Sequence, residues 1–315
     1  MDNLAHTLAG AALAKVGFER RSPLAMPTLL LAANLPDVDV LAYLESPLFA
    51  LTFRRGWTHG ILAMLLMPLW LASVMLAWDR GVRRRRRPAA AVARFSDLWI
   101  IGLIGVLSHS LLDLLNTYGV RLLMPFSGRW FYADTLFIID PWLSGALALT
   151  WVAGAVGNRQ SRIGGNGVRR ATRVLGLVAL AYIAGMYVLG QATRAAAADG
   201  AAGVGRRPAR LMAAPVPLDP FRRTILFQED GRYHRAGFDW RRQRRLVPEP
   251  NAIAMNFDRP EVRAVLNRPE ARAFLQWSRF PAAAVRPDGV RLYDLRYADA
   301  ETDSWASVLI ADRPW

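Results

Sequence analysis

Cysteine is absent from this chain of 315 residues, and lysine occurs once, at Lys15. Without cysteine there is no disulfide and no thiolate ligand, so any metal must be held by nitrogen and oxygen donors. Histidine is scarce as well: only His6, His59, His109 and His234 are present. Negative charge is in short supply, with 25 acidic residues against 40 basic ones and a formal charge of +15. Such a surplus often marks a nucleic-acid-binding protein. Here its placement argues otherwise. The densest run, RGVRRRRRP (80–88), directly follows an apolar segment, the position where Arg gathers on the cytoplasmic side of membrane helices. Nucleic acid is therefore not an expected partner. The opening MDNLAHTLAG has no basic region ahead of an apolar one, so it does not read as a cleaved signal peptide. No internal repeat is present.

What the chain has in abundance is apolar sequence, 53% of its residues. A membrane helix needs about 20 predominantly apolar residues. The stretches 60–78, 98–115, 141–158 and 174–191 qualify, while those at 3–17 and 23–36 are short. The loop 79–97 holds seven Arg, and the loop 158–173 holds five with no acid; both are expected to face the cytoplasm. Alternation then delivers residues after about 191 to the outside. Residues 192–209 read as an Ala- and Gly-rich linker. The remainder, 210–315, carries a strand–turn–strand pattern around an Asp-Gly pair, a helical piece at about 259–277 and a closing hairpin. The expected architecture is mainly α: a polytopic membrane helix bundle over 1–191, then a small extracytoplasmic α+β domain.

Against this apolar background a few polar residues stand out: His6, Asp37 and Asp39 in LPDVDV, His59 in RRGWTHG, and His109 and Asp113 in SHSLLDLL. The topology, drawn from apolar runs and Arg alone, places all of them at one membrane face. His109 and Asp113 are spaced i, i+4, so one helix face carries both. Ionisable residues in membrane segments are costly and mark functional sites by default. The six residues make a set of N and O donors suited to Zn²⁺, Mn²⁺ or Fe²⁺. Each also has a plainer reading: Asp37 as a cap or terminator, and His109 with Asp113 as a buried hydrogen-bonded pair. Asp134 and Asp140 are weaker candidates, and His234 reads as structural. Arg54 and Arg55, just before WTHG, suit an anionic phosphate oxygen or an interfacial anchor.

DNLAHTLAG, NLPDVDVL, RRGWTHGIL and SHSLLDLLNTYGVRLLMPF, in that order, resemble a bacterial family of inner-membrane-associated metal-dependent hydrolases (YdjM-like), sometimes described as LexA-binding. The resemblance covers roughly residues 1–190. A more distant similarity is to zinc-dependent phospholipase C, in which His, Asp, His and His-x-x-x-Asp supply a metal cluster; the matching order here is His6, Asp37 or Asp39, His59, and His109 with Asp113. The later His and Glu ligands of that enzyme have no match in this chain. The resemblance implies a bacterial inner-membrane hydrolase. The residues themselves point to a phosphoester of a lipid-linked or membrane-delivered substrate, with Asp37, Asp39 and Arg55 in catalytic roles and water activated by metal. The rival expectation is a non-enzymatic membrane scaffold or transporter with a structural metal or a hydrogen-bonded His/Asp cluster. Clustering of the polar residues at one face argues against a transport route through the bundle.

Overall fold

The computed structural model describes residues 1–159, 165–202 and 208–311. The chain divides into two compact units. The first comprises Met1–Asp39, Arg55–Gly190 and Pro215–Pro220; the second comprises Val40–Arg54, Gln191–Ala214 and Phe221–Trp315.

The first unit is helical. Helix α1 (Asn3–Val16) is capped by the Asp2 side chain, which accepts from the Ala5 N–H, and it ends at Gly17 with φ 158°. Helix α2 (Ala25–Ala32) leads into a 3-10 segment at Leu35–Leu44, bent by 42° from it. Pro36 is the second residue of the 3-10 segment. A short helix, α3 (Pro47–Phe53), belongs to the second unit. Helix α4 (Ile61–Trp78) continues through one π turn into α5 (Arg84–Arg86). Helix α6 (Phe95–Leu114) follows, then α7 (Pro141–Arg159) and α8 (Gly165–Ala202). Among the described residues, three helical stretches are long and apolar enough to cross a membrane: Ile61–Arg86, Phe95–Leu114 and Asn166–Ala201. The bent pair α2 plus Leu35–Leu44 brings the number to four if it forms one span, and α7 is a shorter apolar helix. Helix α4 exposes Leu62, Leu65, Leu66, Leu69 and Trp70, and α8 exposes Leu177, Val178 and Leu180. Apolar surface of this extent belongs against lipid.

Small residues set the helix spacing. A Cβ on Gly10 would come 2.8 Å from the Leu29 carbonyl oxygen, and one on Gly105 would come 2.5 Å from Ala32 Cβ. Helices α1 and α6 therefore both approach α2 at backbone distance, as small residues permit between membrane helices.

The second unit holds two antiparallel sheets. One is ordered β1 (Arg210–Val216), β2 (Asp219–Glu229), β3 (Arg232–Asp239), β4 (Gln243–Pro248), with β5 (Ile253–Ala254) pairing β3. Asp230 and Gly231 turn β2 into β3 with φ of 46° and 70°, the left-handed pair that two-residue hairpins prefer. After α9 (Pro260–Val265) and α10 (Pro269–Trp277), the second sheet runs β6 (Pro281–Arg286), β7 (Gly289–Asp294), β8 (Ser307–Ala311). The expected single helix at 259–277 is thus two, because Pro269 starts a new one. The expected linker at 192–209 is helical as far as Ala202. Its alanines, the best helix formers, carry α8 onward, and Ala197 packs with Ile225, Phe227, Ala236 and Phe238.

Candidate metal centre

Three segments of the first unit bring titratable groups together. Pro36 and the 3-10 turn place Asp37 and Asp39. The turn Arg55–Gly60 places His59, and the last full turn of α6 places His109 and Asp113. Asp37, His59, His109 and Asp113 each offer one ligand atom, and these atoms lie within 4.8 Å of one another, all buried. His59 Nε2 is 3.1 Å from His109 Nε2 and 3.1 Å from Asp113 Oδ2. His109 Nε2 is 3.0 Å from Asp113 Oδ2 and 3.7 Å from Asp37 Oδ1.

The remaining ring nitrogens are engaged elsewhere. His109 Nδ1 lies 2.7 Å from the Ala33 carbonyl, to which it must donate, leaving Nε2 as a lone-pair donor. His59 Nδ1 lies 2.9 Å from Thr58 Oγ1 and 3.4 Å from Asp39 Oδ2. Asp39 is itself held, accepting from the Arg55 N–H at 2.8 Å and from the Thr58 hydroxyl at 3.1 Å. Arg55 reaches this position with φ 56°, a left-handed conformation that costs a non-glycine residue of order 1–3 kcal/mol. Burial, then the charge of Arg55 and the neighbouring His109, pushes the His59 imidazole well below its usual pKa. It is neutral at pH 7, the form that offers a lone pair.

The other candidates take different places. His6 is buried, stacks on His109 with ring centroids 3.8 Å apart, and sets Nε2 3.2 Å from Asp113 Oδ1. Asp39 stands behind His59 rather than among the four converging groups. Arg55 pairs with Asp113, as does the Met1 ammonium. Arg54 falls in the second unit, over the Tyr43 ring at 5.2 Å. Asp140 caps α7 by accepting from the Leu143 N–H at 2.9 Å and also accepts from the Tyr182 hydroxyl. Asp134 is buried with φ 50° and lies outside the four-residue group. His234 stacks on Phe227 in the second unit.

Three participants were not among the sequence candidates. Thr58 has no signal beyond its neighbour. The Ala33 carbonyl is backbone and carries none. Arg121 donates its backbone N–H to the Arg55 carbonyl at 2.8 Å and is nearly fully buried, its guanidinium 5.1 Å from the Trp130 ring and packed where a Cβ on Gly56 would have to sit. A lone Arg between apolar residues in YGVRLLMP was a legible signal.

Buried carboxylates and imidazoles aimed at one point, with the imidazoles tied from behind, form a group able to hold a metal ion. The donor set therefore fits a divalent ion. The class of protein is a bacterial inner-membrane protein with a buried His/Asp group able to hold a metal. More specifically, the chain belongs to the YdjM inner membrane protein family, which it matches over residues 1–193. It is 26% identical over 136 residues to the uncharacterized protein YfhP of Bacillus subtilis, covering 42% of this chain and 38% of that one. To the inner membrane protein YbcI of Escherichia coli it is 32% identical over 125 residues, covering 38% of this chain and 65% of that one. The chain thus spans less than two thirds of either curated relative. No solved structure matches.

Proposed function

We propose that the protein is a multi-pass, membrane-bound metal-dependent hydrolase, acting on a phosphoester of a lipid-linked or membrane-delivered substrate. The observation that supports this reading is the convergence of Asp37, His59, His109 and Asp113 within 4.8 Å in a chain otherwise poor in histidine. These four would hold the ion, Zn²⁺ first by donor type, with Mn²⁺ or Fe²⁺ as alternatives. A divalent ion in such a site supplies Lewis acidity and a water nucleophile at neutral pH.

The protein's own groups do the rest. Asp39 and Thr58 hold the His59 ring, and the Ala33 carbonyl holds that of His109. Arg55 contacts Asp113 at the cluster and has the fork geometry to bind a phosphate oxygen. His6, against Asp113 and His109, is placed to join the ligand set. The distant similarity to zinc-dependent phospholipase C favours phosphorus over carbon as the centre attacked.

The arrangement of the first unit supports an outward-facing site. Asp97, at the start of α6, pairs with Arg21 at 3.2 Å, whereas Asp113 lies about 24 Å further along the same helix. Helix α4 leaves the cluster at Ile61 and ends beside Arg80–Arg87. Basic residues thus gather at the end opposite the cluster, and Arg faces the cytoplasm.

One observation favours a second reading. The Arg55 guanidinium pairs with Asp113, so the cluster is able to balance charge without an ion, as a structural element of a membrane scaffold. Elemental analysis of detergent-purified protein separates the two. We expect about one or more equivalents of transition metal per chain, lost in His109→Ala and Asp113→Ala together with turnover of a phosphodiester. A wild-type protein that stays metal-free after metal is added back overturns the hydrolase and leaves the scaffold.

A further inference from the structure

The far end of α1 carries a second concave site. Lys15, Arg20, Arg169 and Arg173 line one cavity with Glu19 and Thr172, giving a surplus of three positive charges. Lys15 and Glu19 satisfy each other at 2.8 and 3.0 Å, so the surplus rests on the three arginines. No acid is paired with any of them among the described residues. The cavity lies about 14 Å along α1 from His6, away from the metal cluster, and the end of α7 and the start of α8 close it. Glycines allow that closure: a Cβ on Gly154 would come 2.5 Å from Lys15 Cβ, so α7 meets α1 with its backbone.

Arg169 and Arg173 are one turn apart on α8. The same face continues, about 6 Å per four residues, to Leu177 and then Leu180, whose side chains are 62% and 61% exposed. A cationic hollow thus opens directly onto an apolar helix face that belongs against lipid. A molecule that satisfies both has an anionic head and a hydrocarbon tail. A soluble polyanion would use the charge and leave the leucines uncovered, and a nucleic-acid duplex has no room where the helix enters the bilayer.

We propose that this cavity binds the phosphate headgroup of an anionic phospholipid, with its acyl chains along Leu177 and Leu180. Basic pockets between membrane helices on the cytoplasmic side recognise such headgroups. The site is independent of the hydrolase reading: it shares no residue with the metal centre and is present whether or not that centre turns over.

The test uses the full chain in detergent, with phosphatidylglycerol or phosphatidylcholine added and bound lipid counted by native mass spectrometry. Wild type should prefer phosphatidylglycerol. The variant Arg169→Gln/Arg173→Gln should lose that preference by about 20- to 30-fold, for two basic residues each worth about 1 kcal/mol. Arg84→Gln/Arg85→Gln, which removes the same charge from the other basic segment, should keep it. Thermal unfolding reports folding in each case, and Arg169→Lys/Arg173→Lys should retain most of the preference. Equal loss in the two Gln variants overturns the site, since general surface charge then explains the binding. Inorganic phosphate protecting the protein as well as phosphatidylglycerol does overturns the lipid as occupant, in favour of a soluble anion.

Discussion

Asp39 and Asp37 are two residues apart, yet they do different work. Asp37 Oδ1 faces His109 Nε2, whereas Asp39 accepts from the Arg55 backbone and Thr58 and lies 3.4 Å from His59 Nδ1. Asp39→Asn should therefore weaken metal binding by about 10- to 100-fold, the usual cost of losing an outer partner, with little change in thermal unfolding. Titration against a competing chelator measures it; an unchanged affinity would show that His59 needs no support from Asp39. A second carboxylate acts on stability alone. Asp294 is fully buried and accepts from Ser278 Oγ at 2.6 Å, the Arg279 N–H at 2.8 Å and Arg296 Nε at 2.9 Å. Burial raises its pKa, but the Arg296 charge and the hydrogen bonds from Arg296 and Ser278 outweigh this and hold it below the usual value. With the folded pKa depressed, its stabilisation is complete above the unfolded value of about 3.9 and is lost as pH falls through the lower folded value. Asp294→Asn should cost about 3–5 kcal/mol at pH 7, because Arg296 is left buried without its partner. The gap from wild type should close below about pH 4, and equilibrium unfolding across that range checks it.

At the level of elements, the centre depends on how closely α6 and α2 approach. Only because Gly105 has no side chain does Ala33 come within 2.7 Å of His109 Nδ1. Gly105→Val should destabilise the protein by about 1–3 kcal/mol through overpacking and reduce bound metal, although no ligand is altered. Gly185→Ala, on α8 where an added Cβ meets nothing, is the control, and metal content after purification distinguishes the two. Several elements were legible in advance, for physical reasons. A long apolar run in lipid has one solution, a helix with every backbone group satisfied internally, so α4, α6 and the apolar part of α8 stand out. Asp230-Gly231 announces its hairpin because few residue pairs accept two positive φ values. The extent of α8 was less legible: TRAAAADGAA has linker composition and an Asp-Gly pair, but its alanines extend a helix already formed through Gly200 to Ala202. The apolar α7, shorter than the three candidate spans, packs along α1.

Across the whole molecule, the Arg-rich segments predict sidedness. The absence of cysteine makes it directly measurable, since a single introduced thiol is the only one in the chain. Arg129→Cys, in the loop after α6, and Asp230→Cys, at the β2–β3 turn, should react with a membrane-impermeant maleimide in intact cells. Arg85→Cys should react only after lysis. Labelling of Arg85→Cys from outside would invert the topology and place the metal centre in the cytoplasm.

The amino-acid sequence on its own determined that the chain carries helices apolar enough to enter a membrane, where its arginines concentrate, and which few ionisable residues fall in or beside the apolar segments. These follow from local properties: hydropathy, charge, and the rarity of ionisable groups in apolar segments. The division of labour among those residues was decided only by tertiary structure. Whether an Asp faces an imidazole's Nε2 or its Nδ1, and whether Arg55 folds back onto Asp113, depends on distances between segments far apart in the chain. Those distances are set by helix packing around Gly10 and Gly105, and no local pattern encodes them. The same holds for the basic cavity, whose arginines come from a 3-10 turn and a helix about 150 residues apart and meet only because α7 lies against α1.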